Sequence, residues 1–397
     1  AEGAKELVVA ATAGQAANVQ AALQKPQDPN AANAVGIPAL CAAADQGHTD
    51  CARLLLEAGA DTDSARTQDG ATPLLLAAQG GHLELVHLLL EEGAGLNKAQ
   101  SSDGATPLFA AAENGQLDVV RILLEAGVDI EIGLTGDGTT PFFAAVKNGH
   151  LGVVQLLLDA GAVMDGNCGA DLATPLCWAS QNGHLEILRL FLRAGADKEK
   201  PCAGLNFGLT PLCCAAYTGR LDVVRFLLHA GANKEARGHC GATKLFEAVD
   251  SDKVRTSDGA TPLMLAASSG QTEVVRLMLE VGADKDAACT DDGATSLFVA
   301  AAQNRVEVAR LLLGAGADKD KACTSDGTTP LFVAAARNYV AVVELLLDAG
   351  ANMHKAAKTG ATPFSVACRH QNDVAVGPIA AWKLFFLSLV VARRTVL

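Results

Sequence analysis

The residues of this sequence that could do chemistry are its eleven cysteines and nine histidines, which can bind zinc, form disulfides or attack substrates. Their spacing argues against these roles. The sequence contains no Cys-x-x-Cys, no His-Glu-x-x-His, no phosphate-binding glycine loop and no Gly-x-Ser-x-Gly. We therefore expect no enzymatic activity, no catalytic residue, no metal site and no cofactor.

Many polar side chains stand in register with a repeat of mostly 34 residues. The repeat is carried by the string Asp-Gly-Ala-Thr-Pro-Leu or a close variant. Its threonines are Thr72, Thr106, Thr140, Thr174, Thr210, Thr261, Thr295, Thr329 and Thr362. One such unit is too small to bury its own apolar face, so successive units must stack. Binding rather than catalysis is the leading functional expectation.

Each unit is predicted to hold two helices. In residues 69–102, Asp69-Gly70 forms a turn, and Thr72-Pro73 caps and begins a short first helix. Gly81 ends that helix in a left-handed conformation, and a longer second helix runs from about His82 to Glu92. The same histidine register holds His48, His150 and His184. The repeat therefore explains these histidines structurally. In late repeats Asn304 and Asn338 replace the glycine, and asparagine tolerates the same turn.

The full pattern is Asp-Gly-x-Thr-Pro-Leu-x-x-Ala-Ala-x-x-Gly-His-x-x-Val-Val-x-Leu-Leu-Leu-x-x-Gly-Ala, and it resembles the ankyrin repeat over about residues 5–375. The resemblance implies an all-α solenoid of stacked helix-turn-helix units with projecting β-hairpin loops. It also implies protein binding on the concave helix face and hairpin tips, with no catalytic residues. The family often has histidine directly after Thr-Pro-Leu. This chain instead has Leu75, Phe109, Phe143, Cys177, Cys213, Met264, Phe298, Phe332 and Ser365 there, which predicts apolar packing between repeats.

The cysteines are expected to be buried thiols rather than disulfides. Cys168, Cys289 and Cys323 each precede a repeat threonine by six residues, so at least one whole repeat separates one from the next. Disulfide formation needs the two α-carbons within about 7 Å of each other. Cys213 and Cys214 are adjacent on a helix and point in different directions. Small buried thiols suit a reducing compartment, which predicts a cytoplasmic or nuclear protein.

The repeat register is interrupted once. Thr243 and Thr261 are only 18 residues apart, and Thr243–Val249 is predicted to be a first helix whose second helix is missing. The predicted organisation is a degenerate capping repeat at 1–34, a first lobe at 35–240, a truncated repeat at 241–257, a second lobe at 258–377 and an apolar tail or cap at 378–397. A loop or short helix at the truncated repeat is expected to separate the two lobes.

The last segment has three interpretations. Residues 379–392 are apolar except for Lys383 and Ser388, and this run is shorter than the roughly 20 residues of a membrane span. It can cap the last repeat, form an irregular tail or lie in a membrane interface. Deletion of residues 378–397 distinguishes the cap from the membrane contact.

Specificity is expected at positions that the repeat leaves variable. The residues before the mid-repeat glycine project from the first helix toward the concave side, and they include Glu113, Asn114, Lys147, Asn148, Gln181 and Asn182. Tyr217 is the best single anchor, because exposed aromatic side chains often carry interface energy. Asp69, Asp103 and Asp137 are expected to accept hydrogen bonds from the turn backbone and to form an acidic ridge at the hairpin tips.

The charge narrows the class of partner. A formal net charge of -13 and a pI near 5.1 argue against nucleic acid and favour a monomer that binds proteins with a basic surface. The sequence thus predicts a protein-interaction scaffold or adaptor. Two alternatives stay open at this point: the chain is the ankyrin portion of a larger multidomain protein, or it is held at a membrane by its C-terminal tail.

Overall fold

The protein consists of paired helices that stack along the chain. The structure, a computed structural model, describes residues 2–25, 27–164, 166, 173–202, 208–247 and 254–369. The chain forms two compact units, one of Ala1–Pro175 with Glu186–Ala196 and one of Leu176–Leu185 with Asp197–Leu397. The predicted tail at 378–397 lies outside the described residues.

Within the described residues there are 21 helices, which alternate between first and second helices of a pair. The first helices are α1 (Glu2–Thr12), α3 (Ala39–Gln46), α5 (Pro73–Gly80), α7 (Pro107–Glu113), α9 (Pro141–Asn148), α11 (Pro175–Asn182), α13 (Pro211–Thr218), α15 (Pro262–Ser269), α17 (Ser296–Ala302), α19 (Pro330–Ala336) and α21 (Pro363–Arg369). The second helices are α2 (Ala16–Leu23), α4 (Thr49–Glu57), α6 (Leu83–Glu91), α8 (Leu117–Glu125), α10 (Leu151–Asp159), α12 (Leu185–Arg193), α14 (Leu221–His229), α16 (Thr272–Glu280), α18 (Val306–Gly314) and α20 (Val340–Asp348).

The helix ends follow from local sequence. The hydroxyl of Thr72 accepts a hydrogen bond from the backbone N–H of Leu75 at 3.3 Å, which satisfies an N–H that the helix itself leaves without a partner. Gly81 closes the same helix with φ of 75°. Asn304 and Asn338 take φ values of 56° and 58°, which confirms that asparagine preserves the left-handed turn in the late repeats.

Stacking buries the first helices almost completely. In the first unit α1, α3, α5, α7 and α9 pack in succession, and in the second unit α13, α15, α17, α19 and α21 do so. Pro73–Ala78 of α5 are all buried. The second helices pack in a parallel row and bury one stripe each, for example Leu85, Val86 and Leu89 of α6. The all-α solenoid expected from the repeat is confirmed within each unit.

The helices of the described residues are 7 to 11 residues long. Among the helices that the structure describes, none combines the length and apolarity needed to cross a bilayer.

The shortened interval forms a β-hairpin instead of the predicted helix. Strand β1 (Gly238–Glu247) pairs antiparallel with β2 (Val254–Ala260), and Gly238 lies opposite Ala260. The prediction of a first helix beginning at Thr243 is therefore wrong over the described residues. A helix of one or two turns is marginal without a packing partner, and strand pairing satisfies the same backbone groups.

The hairpin interrupts the sequence but not the stack of the second unit. Helices α13 and α15, on either side of the interval, pack directly against each other, as do α14 and α16. Glu235 Oε1 accepts a hydrogen bond from the N–H of Asp284 at 2.8 Å. The equivalent bond of the next repeat joins Asp286 Oδ1 to the N–H of Asp318 at 2.7 Å. This arrangement differs from the expected pair of lobes, because the extra residues form a hairpin while α13 and α15 still pack on each other.

Buried thiols are part of the core. Cys41 is completely buried, and its Sγ donates to the carbonyl oxygen of Ser64 at 2.9 Å. Burial raises the pKa of the Cys41 thiol from 9.0 to about 12. Burial, with a smaller contribution from the Asp292 carboxylate, likewise raises the pKa of Cys289 to about 12. Ionisation of either thiol is therefore disfavoured in the folded protein.

These two thiols predict a loss of stability in alkali. Below pH 9 both thiols are protonated in the folded and in the unfolded protein, so their contribution to the free energy of unfolding is fully present. As pH rises from about 9 toward 12, the thiols ionise in the unfolded protein only, and the free energy of unfolding falls. The expected loss at pH 10 is on the order of 1 kcal/mol per thiol. Urea unfolding at pH 7 and pH 10 under reducing conditions should show a smaller loss for the variant with Cys41→Ala and Cys289→Ala than for wild type. Val86→Ala, a buried truncation without a titrating group, should keep the wild-type pH dependence. Equal losses in all three proteins would contradict the assignment.

Candidate protein-binding face

The exposed ends of the first helices combine a fixed backbone with exposed side chains. In the first unit, Glu113 ends α7, and its side chain is exposed. Its carbonyl oxygen accepts hydrogen bonds from Asn148 Nδ2 at 3.0 Å and His150 Nε2 at 2.9 Å, both from the following repeat. Lys147 is also exposed. Bonds between neighbouring repeats thus hold the backbone of this edge while a carboxylate and an ammonium face outward.

Asn114 and Asn148, two predicted binding residues of this unit, donate hydrogen bonds to the backbone of the protein itself. Asn148 Nδ2 donates to the neighbouring repeat, and Asn114 Nδ2 donates to the carbonyl of Ala110 within its own helix at 2.9 Å. Both side chains are exposed overall. Their binding role stays a prediction, and their amide nitrogens already have partners within the protein.

In the second unit the most distinctive side chain is Tyr217. It is 43% exposed, whereas Pro211–Ala216 of the same helix are all buried. Gln181 and Asn182 are half-buried, and the carbonyl of Gln181 accepts from Arg220 Nε at 3.0 Å. The structure therefore leaves an aromatic ring in solvent at a position where α7 and α9 carry charged side chains.

The turn aspartates are confirmed as hydrogen-bond acceptors of their own turns. Asp69 Oδ1 accepts from the N–H of Ala71 at 3.0 Å, and Asp69 also forms a salt bridge with Arg66 at 2.8 Å. Asp103 accepts from Ala105 at 2.9 Å, and Asp137 from the N–H of Thr139 at 2.9 Å. Asp103 and Asp137 remain exposed, while Asp69 is half-buried. One of the three carboxylates is thus partly neutralised and two are exposed, and the acidic ridge itself stays a prediction.

A polar ladder between repeats was missed by the sequence analysis. At six places the side chain of the residue before a second helix bonds to a backbone carbonyl of the preceding repeat. The bonds within the units join His48 to Thr12 at 3.1 Å, His82 to Asp45 at 3.3 Å, Gln116 to Gln79 at 3.2 Å, His150 to Glu113 at 2.9 Å, Arg220 to Gln181 at 3.0 Å and Arg305 to Ser268 at 3.0 Å. The signal was available in the histidine register. In other repeats Gln or Arg occupies this position, so the sequence did not show that the three residue types share one role, the donation of an N–H.

The residues that directly follow Thr-Pro-Leu form an apolar layer, as expected, and the cysteines among them also form hydrogen bonds. Leu75, Phe109 and Phe298 are buried there. Cys213 Sγ also donates to the carbonyl of Ala236 at 3.8 Å, 23 residues further on. The same spacing joins Cys41 to Ser64. A thiol in this layer therefore ties the first helix to the following hairpin, in addition to filling space.

Three other thiols meet in the second unit. The Sγ atoms of Cys177, Cys202 and Cys214 all lie within 4.8 Å of one another, and all three residues are buried. This is the one group among the described side chains that could hold a metal ion. No metal site was expected from the sequence, because it contains no Cys-x-x-Cys or other metal-ligand spacing. These three occupy different positions of adjoining repeats.

Comparison with known families agrees with the pattern of helices and hairpins. A family model described as ankyrin repeats (3 copies) matches residues 7–100, 94–168, 163–238 and 236–323. A model of a single ankyrin repeat matches residues 326–358. A comparison with curated proteins returned no match.

Proposed function

The chain belongs to the ankyrin-repeat family, and on that basis we propose that it is a scaffold or adaptor that binds partner proteins. Ankyrin repeats are generally protein–protein interaction modules, and proteins built from them are typically non-enzymatic. In each unit the proposed binding surface consists of the exposed ends of the first helices, and in the first unit it also includes the hairpin turns. Its members are Glu113, Asn114, Lys147, Asn148, Gln181, Asn182 and Tyr217, with Asp69, Asp103 and Asp137 at the turns.

The exposure of Tyr217 is the observation that carries this proposal. Tyr217 is 43% exposed, whereas Pro211–Ala216 of the same helix are buried, so a large part of its side chain is available to a partner. Tyrosine is enriched among the residues that dominate interface energies, because it buries a large area and orders few rotatable bonds. The hydroxyl supplies a polar end that tolerates water in the free protein. Tyr217 therefore suits an anchor for a partner.

The fixed frame beneath these side chains supports rigid display. The carbonyl of Glu113 in the first unit and that of Gln181 in the second are each held by a side chain of the next repeat, so each edge is ordered before any partner arrives. A pre-ordered surface loses little conformational entropy on binding. Modest contacts are then sufficient for useful affinity.

The charge of the chain supports a basic partner surface. The formal net charge is -13, and Asp103 and Asp137 stay exposed although they accept hydrogen bonds in their turns. Ionised carboxylates that accept N–H bonds keep their negative charge, so they can still attract Lys or Arg side chains. The same net charge opposes self-association, and we propose that the protein acts as a monomer.

Site-specific crosslinking tests the proposed surface. A photoreactive phenylalanine analogue at position 217 should capture a protein partner in an extract of the source cells, which mass spectrometry then identifies. Tyr217→Ala should weaken binding of that purified partner about 30-fold, since an interface anchor is worth about 2 kcal/mol or more.

Asp222 supplies the matched control. It is exposed on α14, the second helix of the same repeat. The crosslinker at position 222 should capture nothing in common with position 217, and Asp222→Ala should leave the affinity within about twofold of wild type. If Tyr217→Ala binds as tightly as wild type, or if both positions capture the same proteins, the assignment of this face is wrong.

A further inference from the structure

Three of the cysteines of the second unit, which lie on separate elements, come together in the fold. Cys177 lies on α11, Cys202 opens the hairpin that follows α12, and Cys214 lies on α13. Their exposed fractions are 1%, 2% and 4%, and their Sγ atoms are all within 4.8 Å of one another. The three sulfur atoms therefore point into one buried space between adjoining repeats.

Backbone hydrogen bonds fix the positions of these residues. The N–H of Cys202 donates to Leu209 at 3.0 Å, and the N–H of Gly208 donates back to Cys202 at 2.8 Å, which closes the hairpin. Cys177 Sγ lies 3.6 Å from the carbonyl oxygen of Leu209. Cys177 and Cys202 are thus both bonded to the carbonyl oxygen of Leu209, which holds these two residues together without a ligand.

The equivalent positions later in the unit show what packing alone requires. They are occupied by Met264, Cys289 and Val299, and one repeat further by Phe298, Cys323 and Val333. All six residues are buried. A single hairpin cysteine among larger apolar side chains fills this layer in both places. Three cysteines are therefore not needed to pack this layer.

We propose that Cys177, Cys202 and Cys214 form a three-thiolate site for a thiophilic metal ion. In a zinc site the Zn–S distance is about 2.3 Å, which places ligating sulfurs about 3.8 Å apart. Sulfur atoms within 4.8 Å of one another reach that spacing by small rotations of the side chains. An all-sulfur donor set selects soft ions such as Zn²⁺ and Cu⁺ over Mg²⁺ or Ca²⁺.

The charge balance favours Zn²⁺ within this class. On binding, each S–H bond breaks, one metal–sulfur bond forms at each cysteine, and three protons pass to solvent. A dication offsets two of the three thiolate charges, whereas Cu⁺ offsets only one. Since uncompensated charge is costly in a buried layer, the dication is the better match. No electron transfer is required, because zinc keeps its oxidation state.

Metal titration of the reduced, metal-free full chain under anaerobic conditions tests the site. Zn²⁺ and Cu⁺ are added in separate experiments against a chromophoric chelator. Wild type should retain one equivalent of one of these ions and release about three protons per ion. Cys202→Ser should lose that equivalent. Cys289→Ser, the same hairpin position two repeats later, and Cys41→Ser, the same helix position as Cys177 in an early repeat, should retain it.

A measurement on wild type guards against misfolding of the variants. X-ray absorption of the zinc-loaded protein should show three sulfur ligands at about 2.3 Å. Circular dichroism should show that Cys202→Ser keeps its helices. The proposal is overturned if wild type retains neither ion, if Cys202→Ser binds as well as wild type while folded, or if the absorption spectrum shows nitrogen and oxygen ligands alone.

Discussion

Replacing Phe191 with alanine should lower the free energy of unfolding by about 3–5 kcal/mol, the largest effect expected from one substitution in this chain. Phe191 is completely buried in the first unit, and its ring centroid lies 5.9 Å from that of Phe142 at an interplanar angle of 42°. Truncation removes the apolar area of the ring and leaves a cavity that rigid neighbouring helices cannot fill. Urea unfolding followed by circular dichroism measures the loss.

A double-mutant cycle separates the ring contact from simple burial. Phe142→Ala and the double variant should give a coupling energy of about 0.5–1.5 kcal/mol, as found for tilted aromatic pairs. Phe226 is the matched control, since it is a half-buried phenylalanine on a second helix. Phe226→Ala should cost clearly less than Phe191→Ala. A loss below about 1 kcal/mol at Phe191 would show that the ring is not part of a packed core.

Removing residues 239–255 should leave the fold intact, although it deletes 17 residues from the middle of the chain. The deletion joins Gly238 to Thr256-Ser257-Asp258-Gly259, which repeats the string Thr324-Ser325-Asp326-Gly327 of a later hairpin. It also restores the spacing between Thr210 and Thr261 to 34. The packing of α13 on α15 does not involve the deleted residues. Shortening the hairpin should change stability by only about 1 kcal/mol, because closure entropy varies slowly with loop length.

A deletion of equal length elsewhere provides the contrast. Removing residues 288–304 eliminates α17, which packs between α15 and α19. Because each repeat is stabilised mainly by its neighbours, this deletion should abolish cooperative unfolding of the second unit. Urea unfolding of both deletion variants distinguishes the two outcomes. If removal of 239–255 also unfolds the protein or divides the transition in two, the interval is a boundary between lobes and not an inserted hairpin.

Helix ends were the most predictable features of this protein. The hydroxyl of Thr72, the fixed φ of Pro73 and the left-handed Asn304 act on atoms a few residues away. Such interactions are readable from sequence because chain connectivity places the partners together. The turn aspartates belong to the same class. Asp103 accepts from an N–H two residues on, as its place before glycine predicted.

The shortened interval shows where local reasoning fails. Thr243-Lys244-Leu245 resembles the Thr-Pro-Leu that begins a first helix, so similarity alone favoured a helix there. A first helix is stable only when its own second helix and its neighbours bury it. With α13 already packed on α15, that place in the stack is filled. The residues instead pair as β1 and β2.

The sequence identified the variable positions of the candidate surface, but it did not show how exposed their side chains are or which hydrogen bonds they form. Tyr217 was predicted to be exposed and is exposed. Asn148 was chosen for its variability, yet its amide nitrogen bonds to the preceding repeat. The sequence alone thus determined the repeat, the helix pairs, the turns and the all-α class, because these depend on periodicity and on interactions within a few residues. Only the tertiary structure decided that the stack continues past the interval and that Cys177, Cys202 and Cys214 meet. Those features depend on which residues of adjoining repeats face each other, and the register of a single repeat does not specify that.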